Sequence, residues 1–229
     1  MAKKIYLVGA GPGSPEHVTP AAKKAVRQAT LVIGAQRALE LFQEDIKGEI
    51  WVLTAENLDE LLHRSLTAAE NGRPVALVST GDPTFFGLLR PLLKKSWKDI
   101  EIDIVPGISS IQICASRLKI CLDEVELFSF HGRNPANKKR RLIKALRRKK
   151  MVMILPDPKS FQPDQIAKYL IESGLDHRMP AAVCENLTFP NEEIREGDLR
   201  SISTEKFGPM SIMVIGAEAH QKLPSGLPQ

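Results

Sequence analysis

The chain has few of the residues that build disulfide frameworks and metal centres. Its three cysteines, Cys114, Cys121 and Cys184, form no C-x-x-C pair, which argues against a stapled scaffold or a cysteine zinc module. They read as reduced, buried, structural thiols among apolar neighbours, not as catalytic nucleophiles. The five histidines show no H-E-x-x-H spacing, so no protein-bound metal is expected. Aromatic residues make up only 5% of the chain, too few for a surface that stacks nucleic-acid bases. No apolar run approaches the ~18 residues of a membrane span. The opening MAKKIYLVG lacks the long apolar stretch of a signal peptide. A cytoplasmic protein with no membrane partner is the expectation. A phosphate-cradling G-x-x-x-x-G-K-[ST] is also missing.

Acid is missing from one place. Residues 131–150 hold ten Lys and Arg and no Asp or Glu, while the rest of the chain holds 22 basic against 27 acidic residues. The net charge of +5 is therefore local. Such a run is either a solvated helix face or a patch for an acidic ligand; a solvated face is expected.

What is present begins with YLVGAGPGSP, residues 6–15. An apolar run, 5–8, feeds into Gly9, Gly11 and Gly13, with Pro12 and Pro15 stiffening the turn. A strand that ends in such a loop leaves backbone open to close approach by a ligand. The pattern does not fit a dinucleotide site. The sixth position is Ser14, not Gly. The first good helix start is Thr19-Pro20, well downstream. The next strand, 31–33, ends in Gly34-Ala35 without the acid that would hold a ribose. The loop reads as a site for another ligand, or as a tight turn with none.

The rest of the first half alternates. Strands are expected at 31–33, 50–53, 74–78, 100–105 and 125–130. Helices are expected at 20–29, around 38–42, and at 58–69, 85–95 and 108–118. This predicts an α/β fold with a parallel sheet covered on both faces. Ligands of such sheets bind beyond the carboxyl ends of strands, and those loops are the unusual ones here: Ser79-Thr80-Gly81-Asp82-Pro83 and Pro106-Gly107-Ile108-Ser109-Ser110. Each alone is ordinary turn and capping chemistry. Three at one sheet edge point to a site.

The stretch FHGRNPAN, 130–137, reads as a linker before a basic helix, 138–150. This puts a first domain at 1–129 and a second at 130–229. In the second, strands are expected at 151–155, 181–185 and 212–215 and a helix at 163–173. Two short segments, 194–196 and 199–203, flank a tight turn at Gly197-Asp198. The tail 222–229 reads as loose.

Lined up, G-x-G-P-G, S-T-G-D-P and P-G-I-S-S resemble the tetrapyrrole methylase family. C-E-N-L-T at 184–188, the following E-x-I-x-x-G region and the P-M-S entry to the last strand fit as well. The likeness runs to about Gly216. Within the family, I-G-A-Q-R-A-L-E-L-F, P-G-I-S-S-I-Q and F-S-F-H-G-R are most similar to the branch that methylates C5 of a late cobalt-precorrin. The resemblance implies two α/β domains, mainly parallel in the first and mixed in the second, with S-adenosylmethionine in the interdomain cleft. By motif, Pro12, Gly81, Asp82, Phe85, Ser109 and Ser110 would line the cofactor from the first domain. Leu155, Pro156, Leu187, Pro209 and Met210 would do so from the second. Gly11, Arg37 and Arg133 would meet an anionic tetrapyrrole substrate. His131 either relays a proton or only fixes the linker. A homodimer, acting beside a separate C15-methyltransferase/decarboxylase, is implied too. Rival readings are an enzyme of the same fold acting on another tetrapyrrole, on RNA ribose or on diphthamide, and a non-catalytic binding module.

Overall fold

The computed structural model describes residues 3–95, 99–131 and 136–216; Arg133 and the tail 222–229 lie outside them. The chain divides into two compact units, Met1–Ser110 and Ile111–Gln229.

The first unit contains β1 (Lys4–Gly9), α1 (Pro20–Gln28), β2 (Leu31–Gly34), α2 (Gln36–Glu40), β3 (Glu49–Val52), α3 (Leu58–Glu70), β4 (Val75–Ser79), α4 (Leu89–Leu92) and β5 (Glu101–Val105). The five strands are parallel, in the order β3-β2-β4-β1-β5. Strand alternation sorts its core into two faces. Ile5, Leu7, Ile33 and Leu77 pack with Leu62 and Leu66 of α3. Val8, Val32, Ala76 and Val78 pack with Ala22 and Val26 of α1. With both faces covered, the central strands read as unbroken apolar runs. α1 starts where its signals say. The Thr19 hydroxyl accepts the Ala22 N–H at 3.1 Å, and Pro20 occupies the first turn.

The second unit takes in α5 (Ser110–Leu118, from its second residue on), β6 (Val125–Ser129), α6 (Ala136–Arg147), β7 (Met151–Leu155), α7 (Pro163–Glu172), β8 (Pro180–Glu185), β9 (Glu193–Asp198), α8 (Leu199–Thr204) and β10 (Ser211–Ile215). Its sheet order is β6-β7-β10-β8-β9. β6 and β7 are parallel, while β10 runs antiparallel to both β7 and β8. One face holds Phe130, Leu142, Ile154, Leu170, Val183 and Met213. On Cys184 the thiol of Cys114, from α5, closes to 3.5 Å.

Four expectations are corrected. Strand 125–130 does not close the first series; β6 pairs with β7, and the division between units falls ahead of the expected boundary near Phe130. An apolar strand does not announce which sheet it joins, and here α5 is already tied to the second unit through Cys114–Cys184 and Arg117–Glu192. The expected helix 85–95 shrinks to α4; it does not start at 85 because Phe86 has φ 57°, a left-handed conformation no α-helix continues through. Gly197-Asp198 is not a hairpin turn. Both lie in β9, and Asp198 caps α8 by accepting the Ser201 N–H at 2.8 Å. Finally, Cys121 is exposed, while Cys114 and Cys184 are buried.

Candidate functional site

Loops after β4, β1 and β5, adjacent in the sheet, come together at its carboxyl edge. The contact is backbone on backbone. Gly11 and Gly81 exchange N–H···O bonds at 3.3 and 2.9 Å, and Ala10 N–H reaches Ser79 O at 2.9 Å. Gly11 holds φ 83°. A Cβ on Gly9 would stand 2.4 Å from Gly107 N, and one on Gly107 would stand 2.3 Å from Gly81 O. These glycines are required by proximity, since main-chain atoms cannot move aside as a side chain can.

Asp82 joins two of the loops. Its Oδ1 accepts the Thr84 N–H at 2.7 Å and the Thr84 hydroxyl. Its Oδ2 accepts the Gly107 N–H at 3.0 Å. Both oxygens are committed to holding the edge in shape. The carboxylate acts as a brace between the β4 and β5 loops. Gly11, Pro12, Gly81 and Ser109 are buried here, and Asp82, Phe85 and Ser110 are half-buried. Phe85 packs edge-on to the exposed Phe86, with centroids 4.8 Å apart. Arg37 is exposed on α2, just past the carboxyl end of β2.

In the second unit the strand directions gather the remaining candidates. β10 is antiparallel to β7 and β8, so its start lies beside their ends. His131 past β6, Leu155-Pro156 at the end of β7, Leu187 after β8 and Pro209-Met210 before β10 thus share one sheet edge. Pro156 and Leu187 are buried, Leu155 and Met210 half-buried, and Pro209 exposed. Phe130 N–H bonds Leu155 O at 2.8 Å, placing His131 beside Pro156. His131 is exposed by area, yet the surrounding protein removes enough water to lower its imidazole pKa. The charge of Asp157 and a backbone hydrogen bond with Pro156 only partly oppose this. The ring is thus biased toward its neutral, proton-accepting form.

Two guanidinium–carboxylate pairs brace this second edge, and the sequence reading missed both. Arg117 Nε donates to Glu192 Oε1 at 2.6 Å, and Glu192 Oε2 accepts the Thr188 N–H at 2.7 Å, next to Leu187. Hydrogen bonding to Glu192 raises the Arg117 pKa. Arg195 contacts Glu185, Glu193 and Glu205. Burial opposes its charge, but hydrogen bonds to Glu205 and Glu185 outweigh it and raise its pKa. Asn186 and Thr188 hold left-handed φ of 48° and 73°, so the β8 loop is itself strained. The available signal was acid following C-E-N-L-T, at Glu192 and Glu193, with Arg195 two residues on. Cys114 is no nucleophile. Its hydrogen bond to Cys184 and its burial push the thiol pKa up. Among the described residues no cluster of His, Cys, Asp or Glu is placed to hold a metal ion, and no helix is long and apolar enough to cross a membrane.

Two α/β units with such edges define a class of protein that comparison with known families identifies. Residues 4–203 match the family described as Tetrapyrrole (Corrin/Porphyrin) Methylases, and the chain belongs to it. It is 39% identical over 212 residues to a probable cobalt-precorrin-7 C(5)-methyltransferase of Methanocaldococcus jannaschii, covering 92% of this chain and 96% of that one. It is 29% identical over 213 residues to the cobalt-precorrin-4 C(11)-methyltransferase of the same organism, covering 88% and 81%. Its fold matches the crystal structure of a cobalamin-biosynthesis precorrin-6Y methylase from Archaeoglobus fulgidus, with TM-score 0.72, 29% identity, and 94% and 98% of the chains covered.

Proposed function

We propose that this protein transfers a methyl group from S-adenosylmethionine to C5 of cobalt-precorrin-7, giving cobalt-precorrin-8 in cobalamin biosynthesis. One observation carries the choice of carbon. Over nearly the full length of both chains the likeness to a C5 enzyme is 39%, against 29% for a C11 enzyme of the same organism.

The residues fit the cofactor. The edge at Gly9, Gly81 and Gly107 is lined by backbone with no room for a Cβ on Gly9 or Gly107, so the loops that carry Pro12, Asp82 and Ser109 are held in one fixed shape. Leu155, Leu187 and Met210 supply apolar and polarisable surface suited to an adenosyl group. Pro12, Gly81, Asp82, Phe85, Ser109 and Ser110 are the proposed contacts in the first unit. Leu155, Pro156, Leu187, Pro209 and Met210 are those in the second. When bound, S-adenosylmethionine supplies an already activated electrophilic methyl. The protein's work is to orient an electron-rich ring carbon toward it and exclude water. Gly11, Arg37 and Arg133 are assigned to the macrocycle and its carboxylates. His131, biased neutral, is the proposed acceptor, at its imidazole, of a proton as the methylated ring rearranges. The enzyme is read as a cytoplasmic homodimer working beside a separate C15-methyltransferase/decarboxylase.

The basic helix α6 does not favour an RNA substrate. The rings beside it are taken by its own cations: Lys139 Nζ lies 3.9 Å from the Phe161 centroid and 4.9 Å from that of Tyr169. They are not free to stack bases. Incubation with methyl-labelled S-adenosylmethionine and late cobalt-precorrins, followed by NMR location of the label, tests the proposal. Label at C5 is expected. Label at C11 or another carbon, on RNA, or nowhere overturns it.

A further inference from the structure

β8 ends in Glu185, and the surrounding groups converge on its carboxylate. Oε1 accepts the Gly208 N–H, and Oε2 accepts from Nη2 of Arg195. Arg195 reaches in from β9. Its Nη1 donates to Glu205 Oε2 at 2.9 Å and to the Lys206 carbonyl at 3.2 Å. The Phe207 ring centroid lies 4.4 Å from the guanidinium carbon. The segment from Glu205 to Gly208, leading from α8 toward β10, is therefore wrapped around one cation and one buried anion. Pro209 and Met210 follow at once. Met210 O accepts the Asn186 N–H at 3.0 Å, tying the same turn to the residue after Glu185.

This arrangement is costly for a strand end. Glu185 is only 5% exposed, and a buried ion pair is often no more stabilising than well-packed apolar residues of similar size. An apolar residue at 185 would fill the strand end. It would also leave the Gly208 N–H and the Arg195 guanidinium without this partner. What the carboxylate secures, and an apolar residue would not, is the path of residues 208–210.

We propose that Glu185, oriented by Arg195, is a positioning residue that fixes the 208–210 turn in the shape that receives S-adenosylmethionine. This rests on the reading above that Pro209 and Met210 contact the cofactor. Glu185 itself need not touch it. Arg195 is the orienting partner, and the pair sets cofactor affinity through the turn.

The test uses the full chain and S-adenosyl homocysteine as the probe. Titration calorimetry gives affinity, and hydrogen exchange of the ligand-free protein reports on the Gly208, Met210 and Ser211 amides that flank and follow Pro209. Glu185→Leu should weaken the probe by about tenfold and speed exchange at these amides by a similar factor. Glu185→Gln keeps an acceptor for Gly208 and should lose less. Arg195→Lys cannot reproduce the fork to Glu185 and Glu205 and should fall between. If Glu185→Leu does not fold, the latter two decide. Leu170→Ala, in the core of α7, serves as a destabilised comparator. It should lower Tm yet keep wild-type affinity and slow exchange at the same amides. Wild-type affinity and exchange in the Glu185 and Arg195 variants would overturn the proposal while leaving the functional reading intact. So would equal losses in Leu170→Ala. A wild-type protein that does not bind the probe would sink the functional reading itself, and the positioning role with it.

Discussion

The two units hold their candidate loops by different means. In the first, the loops after β1, β4 and β5 meet main chain to main chain, through Gly9, Gly11, Gly81 and Gly107, with Asp82 as an ionisable brace. In the second, the loops around Leu187 and Met210 are held by Arg117–Glu192 and Arg195–Glu185. A parallel sheet sends successive loops to one edge, where only residues without side chains let them touch. A mixed sheet brings a strand start beside strand ends. There the chain directions differ, and longer side chains span the gap. One edge should therefore be sensitive to added volume and indifferent to salt, and the other the reverse.

The largest effect expected is from volume. Gly107→Ala places a Cβ 2.3 Å from Gly81 O and 2.8 Å from Gly9. Both are backbone, so relief requires the loops to part. Stability should fall by about 3 kcal/mol, the upper part of the range for overpacking, with S-adenosyl homocysteine binding lost. Urea unfolding and calorimetry measure the two, and a fully stable, binding-competent variant would show that the edge is not locked by proximity. Next is the brace. Asp82→Ala leaves the Gly107 N–H without its acceptor, at a cost of about 1–3 kcal/mol, and should weaken the cofactor by about tenfold. Lys149→Ala should leave both unchanged. Equal effects of the two substitutions would remove the first edge from the site.

Much of the first unit was readable because its signals are local. Thr19-Pro20 starts a helix at the position its capping chemistry dictates, and glycines after apolar runs mark strand ends whatever lies around them. The topology rule then places those ends together. The second unit was less readable, since what matters there is pairwise and distant. Nothing near Arg195 in the chain says that it will cradle residues 205–208. A strand such as 125–129 does not name its sheet. Asp198 looked like turn chemistry because Gly-Asp is common in turns, yet the same carboxylate, one strand later, caps a helix. Phe86 in the left-handed region could not be foreseen from its neighbours, and it cut off the start of a helix whose apolar spacing was sound.

Salt sharpens the contrast more gently. The Arg117 and Glu192 side chains are 44% and 21% exposed, against 28% and 6% for Arg195 and Glu185. In about 1 M NaCl the Debye length falls to about 3 Å, so amide exchange at Thr188 should rise more than at Gly208. The amides of Gly11 and Gly81 should not respond. Uniform acceleration would mean that the two edges are not held differently. Acid acts on one further group. His131 has a folded pKa below its unfolded value, with desolvation the leading cause. The unfolded state therefore takes up the proton first. Stability contributed by the neutral ring is complete above about pH 6.5 and declines as pH falls below it. His131→Gln should flatten that part of the stability–pH curve. If methyl transfer also loses its acid limb, the imidazole acts in the reaction. If kcat is unchanged, it only fixes the loop.

The smallest effect is expected from the most conspicuous charge. Arg140, Lys144 and Arg148 follow one another at four-residue spacing on and just past α6, where like charges repel by about 0.2–0.5 kcal/mol per pair. With Arg147 and Ile143 they line a shallow cavity of about 470 Å³. Among the described residues none of these three lies within ion-pair distance of a carboxylate, whereas Arg141 approaches Glu126 at 3.8 Å. A solvated face loses little when such charges go. Arg140→Gln, Lys144→Gln and Arg148→Gln together should raise Tm slightly, by relief of repulsion, and leave cofactor affinity and methyl transfer within about twofold, which is under 0.5 kcal/mol. A large rise in KM for the macrocycle, relieved by no change in cofactor affinity, would instead make α6 part of the route by which a polycarboxylate reaches the enzyme. It would add a third, purely electrostatic mode to the two by which the loops are held.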